Sequence, residues 1–133
     1  MAVSTYLDQI QQLYIAYFGR PADPIGQTYW ASQVDANNGS IASVIAGFSA
    51  STESAALFGN KSTIDKVTAI YMNAFGRAPE PEGLAYWVAI LESGAVSPAQ
   101  ASWTIQQSAG PGDASAVANK LEAAKAFTAQ IDT

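Results

Sequence analysis

The feature that most limits how this chain can fold is that it contains one segment twice. Tyr14-Ile15-Ala16-Tyr17-Phe18-Gly19-Arg20-Pro21-Ala22-Asp23-Pro24-Ile25-Gly26 aligns with Tyr71-Met72-Asn73-Ala74-Phe75-Gly76-Arg77-Ala78-Pro79-Glu80-Pro81-Glu82-Gly83 at an offset of 71 − 14 = 57 residues. The register holds without a gap from Thr5/Ser62 to Ser51/Ser108, and sets Tyr29-Trp30 on Tyr86-Trp87, Ser40 on Ser97 and Asp8 on Asp65. One fixed period means one supersecondary unit made twice, each copy covering apolar surface of the other. Repeat one spans about 5–59 and repeat two about 62–110, with a further helix at about 113–132, all within a single domain of 1–133.

Each copy reads as helices. Thr5-Tyr6-Leu7-Asp8 and Ser62-Thr63-Ile64-Asp65 form capping boxes with Asp in place of the usual Glu. Leu7, Ile10, Tyr14, Tyr17 and Phe18 follow at helical spacing, as do Ile64, Val67, Tyr71, Ala74 and Phe75. Gly19 and Gly76 stand where a left-handed residue ends a helix. Asp23-Pro24 and Glu80-Pro81 restart the chain with an acid at the cap and proline at the first helical position. These second helices carry Tyr29, Trp30 and Val34, or Tyr86, Trp87 and Leu91, and break at Asn37-Asn38-Gly39 and Ser93-Gly94. Ser40 and Ser97-Pro98 open third helices through Val44, Ile45 and Phe48, or through Ala101 and Ile105. A short turn from Glu53 to Phe58 links the copies. Asp113 is expected to cap a last helix with a buried stripe of Val117, Leu121, Ala124, Phe127 and Ile131. No segment alternates with period two for long, so the fold class is all-α. The expected form is a compact bundle of two pseudo-equivalent multi-helix repeats sharing one core, with the C-terminal helix over their seam.

Composition narrows the function. Six basic residues face eleven acidic ones, a net charge of −5. The cations Arg20, Lys61, Lys66, Arg77, Lys120 and Lys125 are scattered, whereas nucleic-acid binding needs them clustered. The chain has no cysteine and no histidine, which removes disulfides, thiolate chemistry, the usual zinc sites and imidazole acid–base catalysis. No apolar run reaches the roughly 20 residues of a membrane span. The first residues, from Met1 to Tyr6, form no classical signal peptide. Charged residues make up only 13% of the chain, so the wet surface is built from amides, hydroxyls and small side chains that suit protein or glycan contacts.

Several residues are candidates for binding. Tyr29-Trp30 and Tyr86-Trp87 carry the faces and polar tips that stack on sugars. The structural alternative, favoured for the tryptophans, is that Trp30 and Trp87 plug the core while Tyr29 and Tyr86 sit at its margin. Arg20 with Asp23, and Arg77 with Glu80, could dock an anionic or hydroxylated ligand. The structural alternative has each Arg serving helix-end carbonyls and pairing with the capping acid. Phe18, Gly19, Phe75 and Gly76 read as structural. A carboxylate pair of Asp23 and Glu80 for glycoside hydrolysis is disfavoured, because both sit at caps. Asp35, Asn37 and Asn38 offer oxygen ligands without EF-hand spacing, so neither metal nor cofactor is expected here. The chain reads as non-catalytic.

Tyr14, Gly19-Arg20, Asp23, Gly26, Tyr29-Trp30, Phe48 and Ser51-Thr52-Glu53 together resemble the pattern of the bacterial family filed as domain of unknown function 4214. The second copy supplies Tyr71, Gly76-Arg77, Glu80, Gly83 and Tyr86-Trp87. It then departs: Ile105 replaces Phe48, and Ser108-Ala109-Gly110 lacks the acid. The resemblance implies a module of secreted surface proteins of S-layer, RTX or biofilm-adhesin type, exported by type I machinery without an N-terminal signal. It also implies an extracellular or cell-surface location, with any calcium-binding repeats beyond Thr133. The expected partner is cell-surface polysaccharide or lipopolysaccharide; the alternative is an assembly module contacting itself or other surface-protein domains.

Overall fold

The computed structural model describes residues 6–130. The first element of the described residues is α1 (Leu7–Leu13), which runs directly into a π-helical stretch, π1 (Tyr14–Phe18), ended by Gly19 in the left-handed conformation at φ 72°. The second-copy counterpart, α5 (Thr63–Phe75), is regular α-helix throughout and ends the same way at Gly76, φ 74°. A side chain at either glycine would strain the backbone, so the triplet Phe-Gly-Arg terminates both helices by the same local rule.

Then come α2 (Pro24–Ala36) and α6 (Pro81–Ser93), each with proline in its first turn. The Asp23 carboxylate accepts from the Gly26 amide at 2.8 Å, the expected cap. Glu80 holds the same position, but its side chain caps nothing and lies 3.4 Å from Arg77 instead. Next are α3 (Ala42–Ser49) and α7 (Pro98–Gln107). Ser97 caps α7 through the Gln100 amide at 3.1 Å. Ser40 does not cap α3, which starts two residues later; its hydroxyl only accepts from Ala42 at 3.3 Å. Pro98 has a φ preset for the first helical position, whereas Ile41 in the matching place has none.

Ser51 caps α4 (Thr52–Phe58) and Ser62 caps α5, each through the amide three residues on. The first-copy box rests on Thr5, which lies outside the described residues, as do Ile131 and Asp132. The last helix, α8 (Pro111–Gln130), begins two residues before Asp113, again on proline, so Asp113 sits inside the first turn rather than at the cap.

Among the described residues every regular element is helical, and the fold is the all-α bundle expected. Equivalent parts of the two copies meet: π1 packs on α5, and α3 on α7, while α8 lies against α1, π1 and α5, over the seam. The shared core takes a different form, as two interlocked clusters. The first is aromatic, with Tyr14, Tyr17, Phe18, Phe48 and Phe58 around Ile10, Leu13 and Val44, and it takes in Ala99 of the second copy. The second gathers Ile70, Ala74, Phe75, Ala101 and Ile105, and takes in Ala16 of the first copy. Ile64, expected to be inside, is exposed.

Polar groups fasten the halves. The Gln106 side-chain amide donates to the Gln12 carbonyl at 3.0 Å, and Asn73 donates to Ala16 at 3.4 Å, so the second copy serves carbonyls flanking and within π1. The stripe expected on α8 is corrected likewise. Ala124 and Thr128 are its buried residues, Val117 is only partly covered, and Phe127 is 56% exposed. The helix is seated by a buried amide instead. Fully enclosed Gln11 donates to Thr128 Oγ1 at 2.9 Å and accepts from the Ala22 amide at 2.7 Å, while Thr128 donates to the Ala22 carbonyl at 2.6 Å.

Candidate functional site

The repeated Gly-Arg turn builds one arrangement twice. Arg20 leaves the end of π1 and lies over the Tyr14 and Phe18 rings, 5.0 and 5.7 Å from their centroids. Its Nε and Nη2 donate to the two Glu53 carboxylate oxygens at 2.8 and 2.6 Å, and Nη1 donates to the Pro21 carbonyl at 2.9 Å. Arg77 lies over Tyr71 and Phe75 and grips Asp113 with the same fork at 2.9 and 2.7 Å, while Nη1 donates to the Ala78 carbonyl. These planar, two-bonded contacts use the guanidinium geometry that lysine lacks.

The partner of Arg20 is therefore Glu53, not the capping Asp23, which influences Arg20 only through its field. The second copy has glycine at the position equivalent to Glu53, and Asp113, three residues beyond it, supplies the carboxylate from α8. The fork holds the Asp113 carboxyl below the ordinary range, Arg77 hydrogen bonding being the main cause.

Beneath each arginine lies a tyrosine, Tyr14 buried and Tyr71 partly buried. Burial pushes the Tyr14 hydroxyl up to about 12, with the Asp23 charge adding to the rise and Arg20 opposing it. The Trp30 indole lies within polar reach of that hydroxyl, as Trp87 does of Tyr71. Gly26 leaves room for the Tyr14 hydroxyl, which would lie 2.7 Å from a Cβ there. The Tyr, Gly-Arg, acid, Gly and Tyr-Trp positions of the repeat thus converge on one structural cluster.

Trp30 and Trp87 hold matching seats, half-buried, each edge-on to its exposed neighbour Tyr29 or Tyr86. Their surroundings differ, since Trp30 also meets Phe48 edge-on where the second copy has Ile105. Trp30 lies so close to Gly47 that a Cβ there would overlap its six-membered ring. The equivalent residue in the second copy is Thr104, which has that Cβ. Trp87 instead borders an open cleft of about 570 Å³ lined by Ile45, Tyr86, Ile90, Ser97, Gln100 and Thr104, among others. There the Gln100 side-chain amide donates to the Thr104 hydroxyl at 3.0 Å, an exposed polar pair facing an aromatic edge.

The residues singled out as binding candidates do not form one site. Arg20, Tyr29 and Tyr86 line three separate clefts, and Arg77 and Glu80 meet as an ion pair. Sequence reasoning missed Glu53 as the arginine's partner, although its place in the repeat pattern was visible. It also missed Gln100 and Thr104, whose only signal is that Thr104 breaks the match with Gly47.

Fold and cluster together define a class: an all-α module of two interlocked copies, each with an arginine–carboxylate fork over a tyrosine. The family model described as Domain of unknown function (DUF4214) matches residues 4–58 and again residues 59–110, and the chain belongs to that family. No curated protein and no solved structure matches the chain.

Proposed function

We propose that this domain is a non-catalytic binding module that holds cell-surface polysaccharide, or the sugar portion of lipopolysaccharide, as the anchoring part of a secreted bacterial surface protein of S-layer or RTX type. The observation that carries this reading is the cleft beside Trp87. It combines the exposed Tyr86 ring and the Trp87 edge with the hydroxyls of Ser97 and Thr104 and the Gln100 amide. Sugars present apolar C–H faces and hydroxyl rims, and a wall of this composition matches both. The surrounding surface carries few charges, so little desolvation opposes a neutral glycan. No helix among the described residues is long and apolar enough to cross a membrane.

The test is titration of the 133-residue chain with surface polysaccharide from the producing cell, read by calorimetry. Binding should fall at least tenfold in Tyr86→Ala and in Gln100→Ala, with thermal unfolding nearly unchanged because both side chains face water. Affinity unchanged from the parent in both variants, or no heat of binding to the parent, removes the proposal.

A second reading, assembly with other protein subunits, is favoured by one observation. Ile25 is 74% exposed beside Tyr29, Pro24 and Thr28 on α2, an apolar patch whose second-copy equivalent carries Glu82 in place of Ile25. Self-association abolished by Ile25→Glu, without glycan binding, would select it.

A further inference from the structure

The seam covered by α8 leaves a groove where π1 ends. It encloses about 390 Å³ between the Gly19-Arg20-Pro21 turn, α5 and α8. That volume lies at the lower end of the ~300–1,000 Å³ usual for small-ligand sites. Its walls are Ile15, Met72, Ala123, Ala124 and Phe127, with Met72 46% and Phe127 56% exposed on facing helices. Two large apolar side chains exposed on opposite walls of one groove form the kind of apolar patch that marks a ligand-binding groove. Methionine and phenylalanine together make an adaptable wall for an apolar chain.

The charges that line the groove are Lys120 and Arg20, the latter shared with Glu53, and no acidic residue lines it. This is two of the six cations in a chain of net charge −5. Among the described residues Lys120 pairs with no acid, whereas Lys125, further along α8, reaches Asp8 and Glu122. Arg20 spends three of its five N–H groups on Glu53 and Pro21, leaving two. Apolar walls with unspent cationic donors complement an anion carrying a short hydrocarbon chain.

We infer that this groove binds a single-chain amphiphilic anion, its acyl portion between Met72 and Phe127 and its carboxylate or phosphate at Lys120 and Arg20. The site is separate from the Trp87 cleft, so it stands whether or not the glycan reading does.

The test uses the whole chain labelled at the methionine methyls, of which there are two, Met1 and Met72. Dodecanoate and dodecyl phosphate, both below micelle formation, are titrated separately, with dodecyl maltoside as the neutral-headed control. Saturable movement of the Met72 signal with either anion, and none with the maltoside at equal concentration, is the expected result; the two anions distinguish a carboxylate from a phosphate preference. Lys120→Met, which keeps the side-chain bulk, and Lys120→Glu should each weaken binding at least tenfold, with circular dichroism unchanged. Phe127→Ser should weaken it through the wall alone. The inference is overturned by a Met72 signal that does not saturate, by maltoside binding as tightly as the anions, or by full affinity in Lys120→Glu. It is also overturned if Met72 shifts with protein concentration alone alongside a dimer mass, since a second copy would then be the occupant.

Discussion

At the scale of residues, the repeat pattern is a set of solutions to one burial problem. A tyrosine placed inside a helical core needs a polar neighbour and protection from charge. Tyr14 has Trp30 beside its hydroxyl, Arg20 across its face and Gly26 leaving it space. The consequence is measurable at alkaline pH. An ordinary tyrosine releases its proton near 10, and Tyr14 in the fold near about 12. Between those values the folded state holds a proton that the unfolded state has lost, so stability falls as pH rises. The contribution is whole below pH 10 and gone above about 12, a loss of ~2–3 kcal/mol from two pH units at ~1.4 kcal/mol each. Tyr17 and Tyr71 shift in the same direction, chiefly through burial. Denaturant unfolding across pH 9–12 should show this decline, and Tyr14→Phe should flatten it by close to one proton. A variant with the same slope as the parent would mean that Tyr14 titrates normally.

At the scale of elements, what could be read from the chain was what depends on near neighbours. Glycines at helix ends, Pro24, Pro81 and Pro98 at helix starts, and the Ser62 and Ser97 caps all act within three or four residues. The partners of Arg20 and Arg77 lie 33 and 36 residues away, and no periodicity points to them. The same holds for α8. Apolar spacing assigned its buried face to Phe127, yet the contact with the first copy is made by Thr128, held by Gln11 across 117 residues. A polar residue that seats a helix carries no hydrophobic signature. Thr128→Val keeps the shape and removes both hydroxyl bonds, leaving a buried Gln11 amide and the Ala22 carbonyl short of partners; about 1–3 kcal/mol should be lost. Thr128→Ser should retain most of it. Chemical denaturation of the two variants decides, and equal stability would show that α8 is held by other contacts. The cleft at Trp87 was illegible for a related reason: it lies where the copies differ, at Thr104 against Gly47, while the repeat was recognised by what they share.

At the scale of the molecule, the duplication was the most legible property and it organised the fold correctly, as equivalent helices meet across the seam. The exchange of Ala16 and Ala99 between clusters, and the Gln106 and Asn73 bonds to first-copy carbonyls, make the halves mutually dependent. Heating should therefore give one transition, with calorimetric and van't Hoff enthalpies equal. A fragment ending at Gly59 should show little helix on its own. Two resolved transitions would mean that each copy stands alone.

The terminal helix also fixes a number. Asp113 is tied to the second copy through Arg77, and Thr128 to the first through Ala22 and Gln11. The fifteen residue steps from one to the other make a rod of ~22 Å at 1.5 Å per residue. A rigid rod pinned at both ends measures the gap it bridges. A third unit spliced between Gly59 and Ser62 would carry the two anchorages out of its reach. The chain thus has a gauge for pairs: longer tandems would be assembled from whole two-unit blocks, each with its own rod.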